Sequence, residues 1–196
     1  MKRYFLLALT ICIALPLSAQ EEEEGGFKKE KLFTGGNISL SFFNNTFLIG
    51  SSPVLGYKLG RFADAGIVMN LQYSSIRDYY VFNDRLRQYL YGGGAFVRLF
   101  PVNFLFGQAQ YEYNFITQKY RSSVNPSQEN NSTTISGNSA LVGVGYVSGR
   151  DPYNNSFFYY MSVMWDISGN ENSPYTDAFG RSIPVIRAGF TIPLFQ

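Results

Sequence analysis

From Leu105 to Phe115 the sequence reads LFGQAQYEYNF, and taken two residues at a time it separates into two chemically different sets. Leu105, Gly107, Ala109, Tyr111, Tyr113 and Phe115 form one; Phe106, Gln108, Gln110, Glu112 and Asn114 form the other. A β-strand sends successive side chains to opposite faces, so this segment is a strand with one apolar face and one face of amides and a carboxylate. The pattern recurs along the chain. Ile67, Met69, Leu71 and Tyr73 oppose Val68, Asn70, Gln72 and Ser74, and Ile38, Leu40 and Phe42 oppose Asn37, Ser39 and Ser41. Tyr159, Met161, Val163, Trp165 and Ile167 oppose Phe158, Tyr160, Ser162, Met164 and Asp166. Near the end, Ile186, Ala188, Phe190, Ile192 and Leu194 oppose Arg187, Gly189, Thr191 and Pro193.

Eight such runs are expected: Leu32–Phe43, Thr46–Leu59, Ala65–Ile76, Leu86–Phe100, Phe104–Lys119, Thr134–Ser148, Ser156–Ser168 and Ile183–Phe195. They exceed the usual soluble strand of about 5–6 residues and reach the roughly 9–11 residues with which a tilted strand crosses a bilayer. The links alternate in character. Gly60–Asp64, Pro101–Asn103 and Gly149–Asn155 are short, whereas Arg77–Arg85, Tyr120–Thr133 and Gly169–Ser182 are longer and polar, with Asn44–Asn45 the short exception among them. Short turns at one end and long loops at the other are the habit of outer-membrane barrels. An even number of strands puts both chain ends on the short-turn side.

Alternation alone does not say which face points inward. The polar sets are Asn, Gln, Ser and single charges of either sign, unlike the Lys/Glu-rich face of a solvated strand. Such a set suits a crowded, hydrogen-bonded interior. Arg187 in lipid would cost about 2–4 kcal/mol near the midplane. The polar set is therefore assigned to the lumen and the apolar set to lipid. Tyr57, Tyr73, Tyr89, Tyr91, Tyr111, Tyr113, Tyr146, Tyr159 and Trp165 flank several runs and are read as interfacial girdles. The fold class expected is all-β: an eight-stranded, antiparallel, up-and-down transmembrane β-barrel over residues 32–196.

Two segments precede it. Residues 1–20, MKRYFLLALTICIALPLSAQ, carry a basic start, an apolar run and small residues at Ser18 and Ala19, which is the layout of a removable secretory signal peptide. A Leu9-to-Cys12 spacing admits lipoprotein processing, but apolar residues continue beyond Cys12. Residues 21–31 read as a flexible periplasmic linker. Taking Lys2 and Arg3 from the 16 basic residues leaves 14 against 14 acidic ones, so charge gives no argument for nucleic acid. Cys12 is the single cysteine and histidine is absent, which disfavours triads, zinc sites and imidazole switches. No catalytic residue, metal or cofactor is expected. Gly92–Gly94 lacks the Lys-Ser/Thr partner of a phosphate loop and is read as relief of crowding.

The lumen charges are Lys58, Arg98, Glu112, Asp166 and Arg187, read as a structural network because buried charges must be paired. Asp166 and Arg187 stand near the upper ends of neighbouring runs, which predicts a salt bridge between them. Glu112 is expected at the level of Gly92 and Gly94, where missing side chains make room.

The stretches SPVLGYKLGRFADAGIVMNLQY, YGGGAFVRLF and SIPVIRAGFTIPLF, with the SAQ signal end, resemble the small eight-stranded outer-membrane barrels of the OmpA transmembrane-domain type, and in particular the short barrels of Bacteroidota. That resemblance implies a cell outer-membrane location with both termini periplasmic. It implies outer-membrane lipid and, during insertion, the barrel-assembly machinery as partners. It also implies an insertion signal in the last strand carried by Arg187, Gly189, Ile192 and Leu194, with the departure that Gln196 follows the terminal aromatic. An eight-stranded barrel is just wide enough to be filled by side chains. The functional expectation is a non-enzymatic membrane anchor, a display scaffold whose loops meet a protein partner, or an accessory subunit; the alternative is a narrow transport or hydrophobic-ligand barrel. Lipid-A-modifying barrels resemble one another in using a histidine, which this chain lacks.

Overall fold

The structure, a computed structural model, describes residues 27–80, 82–122 and 132–195; the expected signal peptide and the first part of the linker lie outside the described residues. Eight antiparallel strands close into one barrel: β1 Leu32–Phe43, β2 Thr46–Lys58, β3 Ala63–Arg77, β4 Arg85–Val102, β5 Leu105–Arg121, β6 Ser132–Ser148, β7 Phe158–Asp166 and β8 Val185–Pro193. Each strand pairs with its sequence neighbour, and β1 closes the ring on β8 from Phe33 opposite Pro193 to Leu40 opposite Ile186. Closure leaves no unpaired sheet edge, the only way a sheet satisfies its backbone away from water.

Local sequence explains the punctuation. Asn44 and Asn45 both take positive φ, 45° and 61°, and join β1 to β2 in a two-residue turn of the kind that matches strand twist. Pro101 interrupts the regular ladder between β4 and β5, where the register shifts between Leu99 and Val102. β7 and β8 are shorter than the alternation suggested. Ser156 is held in the preceding turn by Asp151 N–H (2.9 Å), and Pro184 has no N–H to offer a ladder, its carbonyl accepting instead from Ser41 Oγ at 2.7 Å.

The lower links, 59–62, 103–104 and 149–157, share one end with both described chain ends, as Leu194 N–H donating to Leu32 O at 3.0 Å shows. The β3–β4, β5–β6 and β7–β8 connections leave from the other end. Of the linker, Lys29–Lys31 forms a 3₁₀ turn, Phe27 stacks on Tyr57 (5.4 Å between centroids) and Lys28 N–H donates to Tyr57 Oη at 3.1 Å.

The interior is layered. Phe100, Phe106, Val147, Phe158 and Tyr160, with Phe33, Val54, Val68 and Phe96, fill the short-turn half, and Leu48, Leu141, Met164, Tyr175, Ile183 and Val185 fill the long-loop half. The amide and carboxylate column of β5 crosses the middle, and further buried polar groups lie toward the mouths, Lys58 and Asp64 at one and Asp166 at the other.

Candidate functional site

The two faces of the wall fall as the alternation requires. Along β5, Phe106, Gln108, Gln110, Glu112 and Asn114 are buried while Leu105, Ala109, Tyr111, Tyr113 and Phe115 are exposed. In β8 Arg187 is 1% exposed and Thr191 0%, against 46% for Ile186 and 42% for Phe190. The outer wall is apolar along most of its height; Ile67, Met69, Leu71, Val144 and Met161 are all more than half exposed. Soluble monomers rarely expose contiguous apolar patches beyond a few hundred Å². Tyr146 and Tyr159 stand outward near the short-turn rim and Tyr89 and Trp165 near the opposite one, with Tyr57 and Tyr73 half-buried and Tyr111 and Tyr113 midway along β5.

Inside, β5 supplies a column of side chains spaced two residues apart. Arg98 Nε donates to Gln108 Oε1 (2.8 Å), Gln108 Nε2 to Gln110 Oε1 (2.7 Å), and Gln110 Nε2 to Glu112 Oε1 (2.5 Å). Asn114 Nδ2 donates to Glu112 Oε2 (3.0 Å) and Asn70 Nδ2 to Asn114 Oδ1 (3.3 Å). A strand provides such a column because inward side chains recur every second residue. Gly92 and Gly94 on β4 face Asn114 and Glu112 in register, and a Cβ on Gly94 would fall on the Tyr111 carbonyl oxygen. The two glycines thus serve close approach of the β5 backbone to β4 rather than leaving open room beside Glu112.

The expected pair of Asp166 and Arg187 is not formed. β7 and β8 pair with Ser162 opposite Arg187, which leaves Asp166 four residues further up its strand. Arg187 reaches across the lumen instead: its Nη2 lies 3.1 Å from Glu112 Oε1, and its Nη1 donates to Gln110 Oε1 at 3.0 Å. Tyr175 Oη donates to Glu112 Oε2 at 2.7 Å and accepts from Arg187 Nη2 at 3.3 Å. Asp166 is taken up by the loop above it, through Ser173 Oγ and the Ser168 N–H (2.8 Å), and by β6 through the Ala140 N–H (3.1 Å).

The five charges therefore do not form one directly linked network. Arg98, Glu112 and Arg187 belong to the central column. Lys58 lies at the short-turn mouth, where Nζ donates to Asp151 O (2.7 Å) and Asn154 O (2.6 Å). Beside it, Arg150 sits 3.7 Å from Asp64 and lies over the Phe100 ring at 3.6 Å. Arg98 lies over Tyr160 at 4.1 Å and Phe96 at 4.8 Å, so both guanidiniums rest on the aromatic layer.

At the other mouth, the segment 167–184 folds over and into the opening, with Ser173, Tyr175, Asp177 and Ile183 buried. Asp177 pins it to the first hairpin, accepting from Asn44 Nδ2 (2.8 Å), from the Phe179 and Arg181 N–H groups (2.9 Å each) and from the Arg181 guanidinium (2.9 Å). Burial pushes the Asp177 carboxyl up, but these donors outweigh it and hold the group below the ordinary aspartate range. The Asp151 carboxyl, in the link after β6, is lowered by the Asn154 amide and the Tyr153 and Asn154 N–H groups.

Tyr175, Arg150 and Asp64 were missed in the sequence. Asp64 carries a signal in hindsight, since it sits four residues before Val68, on the inward parity of β3. Tyr175 and Arg150 lie in links, where no period reveals a side chain's direction.

No family model matches the sequence, and no curated protein matches it. Among solved structures, the N-terminal β-barrel domain of Pseudomonas aeruginosa OprF is similar in fold, with a TM-score of 0.42 and 15% identity over 83% of this chain and 98% of that one.

Proposed function

We propose that this chain is an integral outer-membrane β-barrel protein that acts as a non-enzymatic anchor, presenting its long loops or serving as an accessory subunit, with both termini periplasmic. The observation that carries the reading is the inversion of the wall: apolar side chains out, Arg187, Glu112 and the amide column in. Water penalises that arrangement and a hydrocarbon solvent favours it. The inner side chains favour an anchor over a pore. The column fills the middle of the lumen, aromatic residues and two stacked guanidiniums fill the short-turn half, and Tyr175 descends on the central ion pair from the long-loop side.

Partition of the expressed chain between washed membranes and soluble fraction tests the location, and recovery in the soluble fraction without detergent overturns it. Planar-bilayer recording of the purified protein tests the anchor reading: large, stable, water-filled conductance is the result that rejects it in favour of narrow transport.

A further inference from the structure

Among the described residues, the buried charges in the centre and short-turn half of the lumen do not balance: Lys58, Arg98, Arg150 and Arg187 face only Asp64 and Glu112. Glu112 lies 3.1 Å from Arg187, and Asp64 lies 3.7 Å from Arg150. Lys58 is met at the mouth by the Asp151 and Asn154 carbonyls. Arg98, 1% exposed, donates from Nε to the neutral Gln108 Oε1 at 2.8 Å and forms no ion pair among the described residues. Asp64 is its cross-strand neighbour, but that one carboxylate serves Lys58, Arg98 and Arg150 together. The rings of Tyr160, Phe96 and Phe106 offset part of the cost of burying the guanidinium and leave its charge uncancelled.

Unmatched donors gather beside this charge. Arg98 Nη1, Arg187 Nε, Tyr160 Oη and Ser162 Oγ are all buried, and none has a hydrogen-bond partner among the described residues. Tyr160 and Ser162 are consecutive inward residues of β7; Arg98 lies over the Tyr160 ring at 4.1 Å, and Ser162 pairs directly with Arg187. The amide column ties the guanidiniums together, since Arg98 donates to Gln108, Gln108 to Gln110, and Arg187 Nη1 to that same Gln110 oxygen. On both neighbouring strands the residue opposite Arg187 is a serine, Ser39 on β1 and Ser162 on β7. The two guanidinium N–H groups can only donate, and the two hydroxyls carry a proton each. A water could accept from both guanidiniums and donate to both hydroxyls, but the hydroxyl protons would then lack acceptors and Arg98 its counter-charge. An anion accepts from all four and cancels that charge.

We infer that the lumen binds one small monovalent anion of halide size, held by Arg98 Nη1, Arg187 Nε, Tyr160 Oη and Ser162 Oγ. Glu112 already neutralises Arg187, so Arg98 supplies the single positive charge that the anion cancels. Hydrogen bonds between charged groups and buried donors are the strong ones, and a dry lumen strengthens them further. Because the four donors come together only in the closed barrel, the anion binds the folded chain and not the unfolded one, and folding stability rises with its concentration.

The full chain, folded in uncharged detergent micelles, is unfolded in urea and followed through the emission wavelength of Trp165, its single tryptophan. Sodium bromide is raised from zero to about 200 mM, with sodium gluconate, too bulky for a side-chain-filled lumen, holding the ionic strength constant. The expected result is a saturating fall in the unfolding equilibrium constant, about tenfold for a Kd of about 20 mM. Crystals grown in bromide should show its anomalous peak at the four donors. R98Q and the double variant Y160F/S162A should each reduce the bromide dependence to within about twofold, whereas K29Q at the short-turn rim keeps it. Each variant is read by its dependence on bromide rather than by its absolute stability, and where R98Q does not fold the hydroxyl variant decides. Equal stability in bromide and gluconate overturns the inference, as does a full dependence that survives in a folded R98Q or Y160F/S162A. A water at the four donors with no anomalous peak overturns it as well.

Discussion

Replacing Glu112 by Gln keeps the side chain's shape and removes one charge from the centre of the lumen. The carboxylate is 0% exposed and receives four donors: Gln110 Nε2 and Arg187 Nη2 on Oε1, Asn114 Nδ2 and Tyr175 Oη on Oε2. The best placement of the new amide keeps its oxygen toward Arg187 and Gln110 and turns its NH₂ toward Asn114 and Tyr175. The tyrosine hydroxyl can rotate to accept. Asn114 cannot turn its oxygen over without losing the bond from Asn70 Nδ2, at 3.3 Å. Arg187, 1% exposed, keeps Gln110 and Tyr175 as acceptors but loses its carboxylate. Removing one partner of a buried pair costs about 3–5 kcal/mol, and the acceptors left to Arg187 place this case near the lower bound. The assay is guanidinium unfolding in detergent micelles followed through Trp165, the chain's single tryptophan, which faces outward. E112Q and R187M should each lower stability by about 3 kcal/mol, and the double variant should fall short of their sum by about 1.5 kcal/mol or more. The cycle of D166N with R187M should be additive within about 0.5 kcal/mol. An E112Q cost below about 1 kcal/mol, or coupling to Asp166 in place of Glu112, would refute the cross-lumen pairing.

Tyr175→Phe removes one donor from the same carboxylate and should cost about 1.5–3 kcal/mol in the same titration. Gly94→Ala should destabilise by about 1–3 kcal/mol because its Cβ meets the β5 backbone, whereas Gly60→Ala, with open space around it, should be neutral or slightly stabilising; paired melting curves separate the two. Asp177 is a carboxylate with a lowered folded pKa, so its contribution is present above the unfolded value of about 3.9 and is lost as pH falls through the folded one. Limited proteolysis of the 167–184 segment should therefore accelerate below about pH 4, and Asp177→Asn should give the acid pattern already at neutral pH. If cleavage of the natural chain is independent of pH from 7 to 3, the anchoring role assigned to Asp177 fails.

The period of two carried most of the fold. It identified the strands, sorted each into an inward and an outward set, and marked Gln108, Gln110, Glu112 and Asn114 as one inward column, because side-chain direction in a strand is a local property of the backbone. Pairing of sequence neighbours followed from the tendency of consecutive strands to lie side by side. The partner of Arg187 did not. Counting along a hairpin made Asp166 its neighbour, but the β7–β8 register sets Ser162 opposite Arg187, and closure turns β5 to face β8 across the lumen, 75 residues apart in the chain. Glu112 and Arg187 meet because a closed ring brings non-adjacent strands together only through its interior. The same holds for Tyr175, delivered by a segment with no period of its own. Local alternation decided which way each side chain points, and ring closure and register decided what it meets there.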